Sequence, residues 1–333
     1  VAEGVLLDTN VWRYLADADA YTKLLTNSHR AGVPIVVSPA AVYESLAIPD
    51  PKLRQSVAQL ISRPRWHRLM PDAFSECEEI RAEIQRIHPE WLSTKPDLHL
   101  WEKNRRDWSR PKRGFWDRVR NDTDRMARLT RFPHLEEARS EAERRRKFML
   151  NLRKNDWLNE PFVNPKEGLG GREGKPFPLW RFDAANTTFI HLKREGGPYR
   201  DWLIPWLDAS CRITQRAWNE FWFYEVGDHS TLRQRLRSRV EWLQAFQKIS
   251  PGAPGDSQLA SYLTDAAFIA TADKRFFQTI RDCQKTIDFK IASPVLLSGG
   301  KAGVEELIQW FRDRSPEHSV HINAADDVEV NRQ

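Results

Sequence analysis

Four acidic residues stand in two islands at opposite ends of a 333-residue chain: Asp8 and Glu44 in LLDTNVW and SPAAVYESLA, Asp256 and Asp273 in GDSQLASYLTDAAFIATADKRF. Each carboxylate falls where an apolar, strand-like run meets helical sequence, so the islands read as two halves of one site. Carboxylates at such junctions gather along one edge of a parallel sheet, because the carboxyl ends of its strands open onto a common crevice. Four acids packed there repel and raise one another's pKa unless a cation neutralises them. Mg²⁺ or Mn²⁺ is the expected partner, since hard ions take oxygen ligands and Mg²⁺ is often shared with a substrate phosphate. The chemistry that follows is hydrolysis of a phosphodiester, with water made more acidic by the ion and charge stabilised on the phosphoryl oxygens and leaving group.

The elements that must position these acids can be traced along the chain. VLLD (5–8) and PIVVS (34–38) read as short buried strands with helical sequence from about Val11 to Ala31 between them, a βαβ opening. Ser38-Pro39 supplies a cap and a first-turn proline for a helix running through Glu44 to about Ala47. Lys52 to Ser62 predicts a helix, WHRLM (66–70) a strand, and Ala73 to Ile87 an amphipathic helix. The β pattern returns late, with a helix over 256–264, a strand over 266–272, a helix over 274–283, a strand over 289–292 and a helix near 302–313. Asp8 and Asp273 then end strands, Glu44 rides the helix leaving the same edge, and the helix that begins at Asp256 starts there as well. Asp265 opens the strand that Asp273 finishes, roughly 20 Å or more away at about 3.3 Å per residue. It stands outside the site, with a capping role expected.

Residues 90–250 differ in character: they carry most of the tryptophans and little that alternates like a strand. Helices are expected over 97–109, 114–131, 134–154, 200–224 and 229–248, broken by a loop over 164–178. Between Glu102 and Arg153 there are 17 Lys/Arg against 9 Asp/Glu, a larger surplus than the +6 of the whole chain. Such a stretch suits a polyanion, whose counterions it releases; the alternative is a solvated helix laced with ion pairs. Arg113, Arg118, Arg144, Arg145, Arg146 and Lys147 are the candidate phosphate contacts, and aromatics here are available to stack on exposed bases. Taken singly, Trp116, Trp157, Trp180, Trp202, Trp206, Trp218 and Trp222 read as core residues before base platforms. The expected organisation is one α/β domain made from residues 1–88 and 252–315. A helical Arg/Trp-rich insertion over 89–251 interrupts it, and a polar tail follows over 316–333.

Other chemistries find less support. Three widely spaced cysteines exclude a CxxC zinc motif and fit a reducing compartment. With no run of 18 apolar residues and no leader pattern, a cytoplasmic protein without membrane contact is expected. HExxH and GxSxG are absent, and GLGGREGKP fails as a phosphate loop at Leu169 and at Pro176. DTNV approximates the DxDx(T/V) opening of haloacid-dehalogenase-like phosphatases, but Asn10 takes the place of the second acid.

LLDTN, the glutamate on the helix after the second strand, and GD followed by TADKRF resemble the PIN-domain nucleases, over residues 4–88 and 252–293. The resemblance implies an α/β, PIN-like parallel sheet flanked by helices. It also implies that Asp8, Glu44, Asp256 and Asp273 bind Mg²⁺ or Mn²⁺ and support hydrolysis of RNA, less often DNA. Thr9, Asn10 and Thr271 match the small polar positions where family members orient water at the ion or a ligand carboxylate. Compact members join the islands by a short helical link, whereas this chain interposes residues 89–251, on which substrate choice is expected to depend. The expectation is therefore a metal-dependent endoribonuclease, with single-stranded DNA as a second substrate candidate. A non-enzymatic PIN-like scaffold for RNA or protein is the competing reading. Because the family includes toxins of toxin-antitoxin pairs and RNA-processing enzymes, a protein inhibitor, an oligomer partner and a role as a toxin or defence effector are further candidates.

Overall fold

Among the described residues, seven short strands occur in chain order: β1 (Val5–Leu7), β2 (Ile35–Val37), β3 (His67–Arg68), β4 (Phe162–Val163), β5 (Phe177–Pro178), β6 (Phe268–Thr271) and β7 (Ser293–Leu296). Five of them form one parallel sheet in the order β3-β2-β1-β6-β7, while β4 and β5 make a separate antiparallel ribbon. The chain winds outward from β1 through β2 to β3, then returns to lay β6 against the other side of β1. The order of the strands thus reverses between β1 and β6, the place where ligands settle in open α/β sheets. The computed structural model describes residues 3–130, 143–144, 146–147, 150, 159–165, 174–246 and 253–315. The expected tail over 316–333, Arg145, Trp157 and most of the helix expected over 134–154 lie outside them.

The strands are apolar on both faces because both faces are covered. In register, Leu6 pairs with Val36 and Ile269, and these three belong to one hydrophobic cluster. Val5, Leu7, Ile35, Val37 and Ala270 point the other way, into a second cluster. Helices α1 (Thr9–Asp17), α2 (Tyr21–Ala31), α3 (Pro39–Leu46) and α4 (Pro51–Ile61) follow the first strands; α5 (Asp72–Ile87) follows β3. Then come α6 (His99–Ser109), α7 (Phe115–Asn121) and α8 (Thr123–Thr130), and after β5 α9 (Leu179–Lys193), α10 (Pro198–Leu203), α11 (Gln215–Glu220) and α12 (Leu232–Ala245). The last three are α13 (Ala253–Ala260), α14 (Lys274–Thr286) and α15 (Gly300–Arg312).

The described part of 89–251 is mainly helical, apart from the β4-β5 ribbon, and it packs directly on the sheet layers. Phe115, Trp116 and Val119 of α7 join the cluster under Val5 and Leu7. Trp180, Trp202, Trp218, Trp222 and Trp242 join the one under Leu6 and Ile269. Trp116, Trp180, Trp202, Trp218 and Trp222 are all buried, and Trp206 is half-buried. A buried tryptophan removes roughly 150–250 Å² from water, worth on the order of 4–6 kcal/mol by area. Turning one outward would forfeit more than the ~1–3 kcal/mol that stacking on a base returns.

Several expected elements are shifted for local reasons. The helix expected over 11–31 breaks in two at Asp19, which takes a left-handed φ of 46°, a conformation aspartate tolerates better than most residues. The run expected over 200–224 is cut by Pro205 and ends in a π-turn at Phe221–Glu225. Helix α9 is not among the expected elements; it buries Leu179, Trp180, Arg181, Asp183 and Thr188 together, so it shows no clean apolar stripe. The last strand forms at Ser293–Leu296, not 289–292, and carries Pro294 at the sheet edge, where a missing N–H is tolerated. Among the described residues no helix is long and apolar enough to cross a membrane.

Candidate functional site

Asp8 sits just past β1. Its N–H still pairs across the sheet with the Ala270 carbonyl at 3.0 Å, and the chain then turns into α1 with Asp8 as N-cap. Its Oδ1 accepts from the Thr9 N–H at 2.6 Å and its Oδ2 from the Thr271 hydroxyl at 2.7 Å. The Asn10 side chain adds a further hydrogen bond. Asp273 plays the matching part after β6: it caps α14, its Oδ1 accepting from the N–H groups of Arg275 at 2.7 Å and Phe276 at 3.1 Å. Its own N–H donates to the Thr271 hydroxyl at 3.0 Å. One buried threonine therefore ties the two aspartates together across the β1/β6 reversal.

Glu44 arrives from the neighbouring strand. Ser38 caps α3 by accepting from the Ala41 N–H at 3.3 Å, and Pro39 fills the first turn, which places Glu44 on the second turn. There it accepts a hydrogen bond from the Thr9 hydroxyl and lies so close to Gly255 that a Cβ on that residue would collide with its carboxylate. Asp256 stands in the first turn of α13, where its Oδ2 accepts from Gln244 Nε2 at 3.2 Å, from the end of α12. Gln244 carries no motif that sequence reading would single out, and only the fold brings it to the acids; Gly255 is the glycine of the GD pair.

The four carboxylates lie within one another's fields. Burial pushes Asp256 up to about 9, and Asp8, Glu44 and Asp273 each push it the same way. Burial raises Glu44 to about 7, with the Thr9 hydrogen bond opposing and Asp8 reinforcing. Asp8 is also held above the usual carboxylate range, by burial first and Asp273 in part, against the hydrogen bonds from Thr271, Thr9 and Asn10. The groups opposing these shifts are neutral, and no lysine or arginine pairs with any of the four among the described residues.

No three His, Cys, Asp or Glu side chains among the described residues already converge as a closed metal-ligand set. The donor chemistry nevertheless fits a hard cation. All four donors are carboxylate oxygens, and an ion among them would replace the proton that burial, reinforced by the neighbouring carboxylates, keeps on Asp256.

The other sequence candidates are placed differently. Asp265 is bound on both oxygens by Arg233, at 2.6 and 2.7 Å, so its role is a half-buried ion pair in place of the expected cap. Arg118 is likewise engaged, donating to both oxygens of Asp107 at 2.8 and 2.6 Å. Arg146 donates to the Ala245 carbonyl at 2.9 Å, while Arg113, Arg144 and Lys147 are exposed. No protein-family model, curated protein or solved structure matches this chain.

Proposed function

We propose that the protein is a metal-dependent endoribonuclease of PIN-like design, with Asp8, Glu44, Asp256 and Asp273 as its acidic site and Mg²⁺ or Mn²⁺ as cofactor. The observation that carries the reading is a set of four mutually repelling carboxylates at the β1/β6 reversal with no cationic side chain offsetting them among the described residues. When bound, the ion supplies charge neutralisation for a phosphoryl group and a more acidic water. The chain's own residues do the positioning. Thr271 locks the Asp8 carboxylate to the Asp273 backbone, Thr9 orients Glu44, and Gln244 steadies Asp256. In a labelled-RNA assay with Mn²⁺, Asp8→Asn should abolish cleavage while circular dichroism stays unchanged; an undiminished rate would end the proposal.

A second reading has one observation in its favour: Asp8 and Asp273 are both helix N-caps, a structural role that accounts for an aspartate without catalysis. On that reading the protein is a non-enzymatic scaffold. It predicts that the wild type cleaves neither RNA nor single-stranded DNA in parallel assays. Cleavage of DNA alone would keep the site and change the substrate.

A further inference from the structure

Beside Asp273, the segments that follow β1, β6 and β7 line a cleft at the carboxyl edge of the sheet, made of two parts that meet at Tyr14. Its inner part, about 380 Å³, is lined by Asn10, Tyr14, Asp273, Lys274 and Arg275. Its outer part, about 350 Å³, is lined by Tyr14, Asp17, Gly300 and Lys301. Each part lies within the range of small-ligand sites, roughly 300–1,000 Å³, and Tyr14 is common to both. Gly300 holds a left-handed φ of 65° at the start of α15, and a Cβ on Gly299 would lie 3.6 Å from the Tyr14 hydroxyl. The left-handed turn at Gly300 sets the start of α15, and Lys301 with it, beside the tyrosine.

The charge pattern along the cleft is directional. Four acids alone would repel a polyanion, yet exposed Lys274 and Arg275 follow Asp273 immediately, and exposed Lys301 lies beyond Tyr14. Asp17 is the one acid lining the outer part. Tyr14 is half-buried, so its ring is held by the protein on one side while facing the cleft on the other. Cations spaced around a fixed aromatic ring are the arrangement that binds unpaired strands, with phosphates on the charges and a base on the ring.

We propose that this cleft binds single-stranded nucleic acid, with Lys274, Arg275 and Lys301 contacting phosphates and Tyr14 stacking on a base, and so delivers the strand to the acid cluster. The proposal rests on the nuclease reading only for what happens at the inner end of the cleft; binding is measured without metal. Fluorescence anisotropy of a short labelled oligoribonucleotide with the full chain in EDTA, across a salt series, reads it directly. Each phosphate contact on a single strand contributes about 0.7 to the salt slope, so the double variant Lys274→Ala/Lys301→Ala should flatten the slope by about 1.4. Tyr14→Ala should weaken binding roughly five- to a hundredfold, and Tyr14→Phe, which keeps the ring and the packing, should not. An unchanged slope and affinity in the double variant would overturn the proposal. So would a wild type that ignores the oligonucleotide at low salt but binds polyaspartate, because the cleft would then take an acidic protein segment. Binding that responds to these variants without cleavage in Mn²⁺ sinks the nuclease reading and keeps the cleft; cleavage with indifferent binding does the reverse.

Discussion

Helix α12 touches two buried acidic clusters, and they are settled in opposite ways. Near its start, Arg237 pairs with Asp72 at 2.8 Å and Glu76 at 2.5 Å, and Arg233 pairs with Asp265 at 2.6 Å and Glu79 at 3.1 Å. Tyr199 and Gln234 complete the hydrogen bonding of Glu76. Seven residues after Arg237, about 10 Å along the axis, the same helix reaches the second cluster through Gln244. Burial raises carboxylates in both places: Glu76 to about 7 and Glu79 to about 8 against the pull of their arginines, Asp256 to about 9 with no such pull. Two guanidinium groups serve the first set of four acids, and none serves the second among the described residues. The helix buries arginine against carboxylate on one stretch and not on the next among the described residues, and on the proposed reading the second set is left for a cation.

The largest effects should separate the clusters by the kind of loss. Asp8→Asn should lower the cleavage rate by roughly 10²–10³ or more, the scale lost when one preorganised electrostatic contact to a transition state goes, with little change in unfolding free energy. Arg237→Met should do the converse. Stranding Asp72 and Glu76 in the interior should cost about 3–5 kcal/mol by urea titration, and a cost below about 1 kcal/mol would make the two clusters equivalent.

How far the sequence foretold this contrast depends on the range of the interactions. The carboxyl-edge acids were legible because strand-helix junctions are local: Leu7-Asp8 and Thr271-Ala272-Asp273 announce themselves by an apolar run ending at an acid, and Ser38-Pro39 announces the helix that carries Glu44. Their arrangement at one edge followed from parallel pairing, which the observed sheet has. The arginine-paired cluster was not legible, since Asp72 and Arg237 are 165 positions apart and Arg233 reads in sequence as one more charge on a wet helix. Charge runs mislead for the same reason. Arg118 counted as a phosphate contact, yet its fork is filled by Asp107, so Arg118→Ala should leave the salt slope of oligonucleotide binding unchanged. The cleft beside Tyr14 escaped because its cations stand at the starts of two helices that meet only in the folded sheet.

A pH experiment sharpens the comparison with a smaller signal. The Asp256 carboxyl titrates near 3.8 when unfolded and about 9 when folded. Between those values the folded state holds the extra proton, so stability in EDTA falls as pH rises through the window. Wild type should therefore melt a few degrees lower at pH 8 than at pH 5; Asp256→Asn should lessen that dependence, the raised Glu44, Glu76 and Glu79 keeping the rest, and Mn²⁺ should restore the loss at pH 8 only in the wild type. The smallest effect belongs to the half-buried His88, which lies between Glu90 at 2.9 Å and Glu225 at 2.7 Å. Burial disfavours its charge, but the two carboxylates outweigh burial and hold its pKa above the ordinary 6.5. Its contribution is full below the unfolded value and fades as pH rises through the folded one. After solvent screening it should amount to a few tenths of a kcal/mol, measured by comparing His88→Gln with wild type at pH 5.5 and 8.

The central claim, that the arginine-free acids await a cation, is tested most directly by calorimetric titration of Mn²⁺ at pH 7.5 in two buffers of different ionisation enthalpy. The account predicts saturable binding that releases close to one proton per ion from Asp256 and disappears in Asp8→Asn. No binding heat at millimolar Mn²⁺, or equal binding by Asp8→Asn, would contradict it.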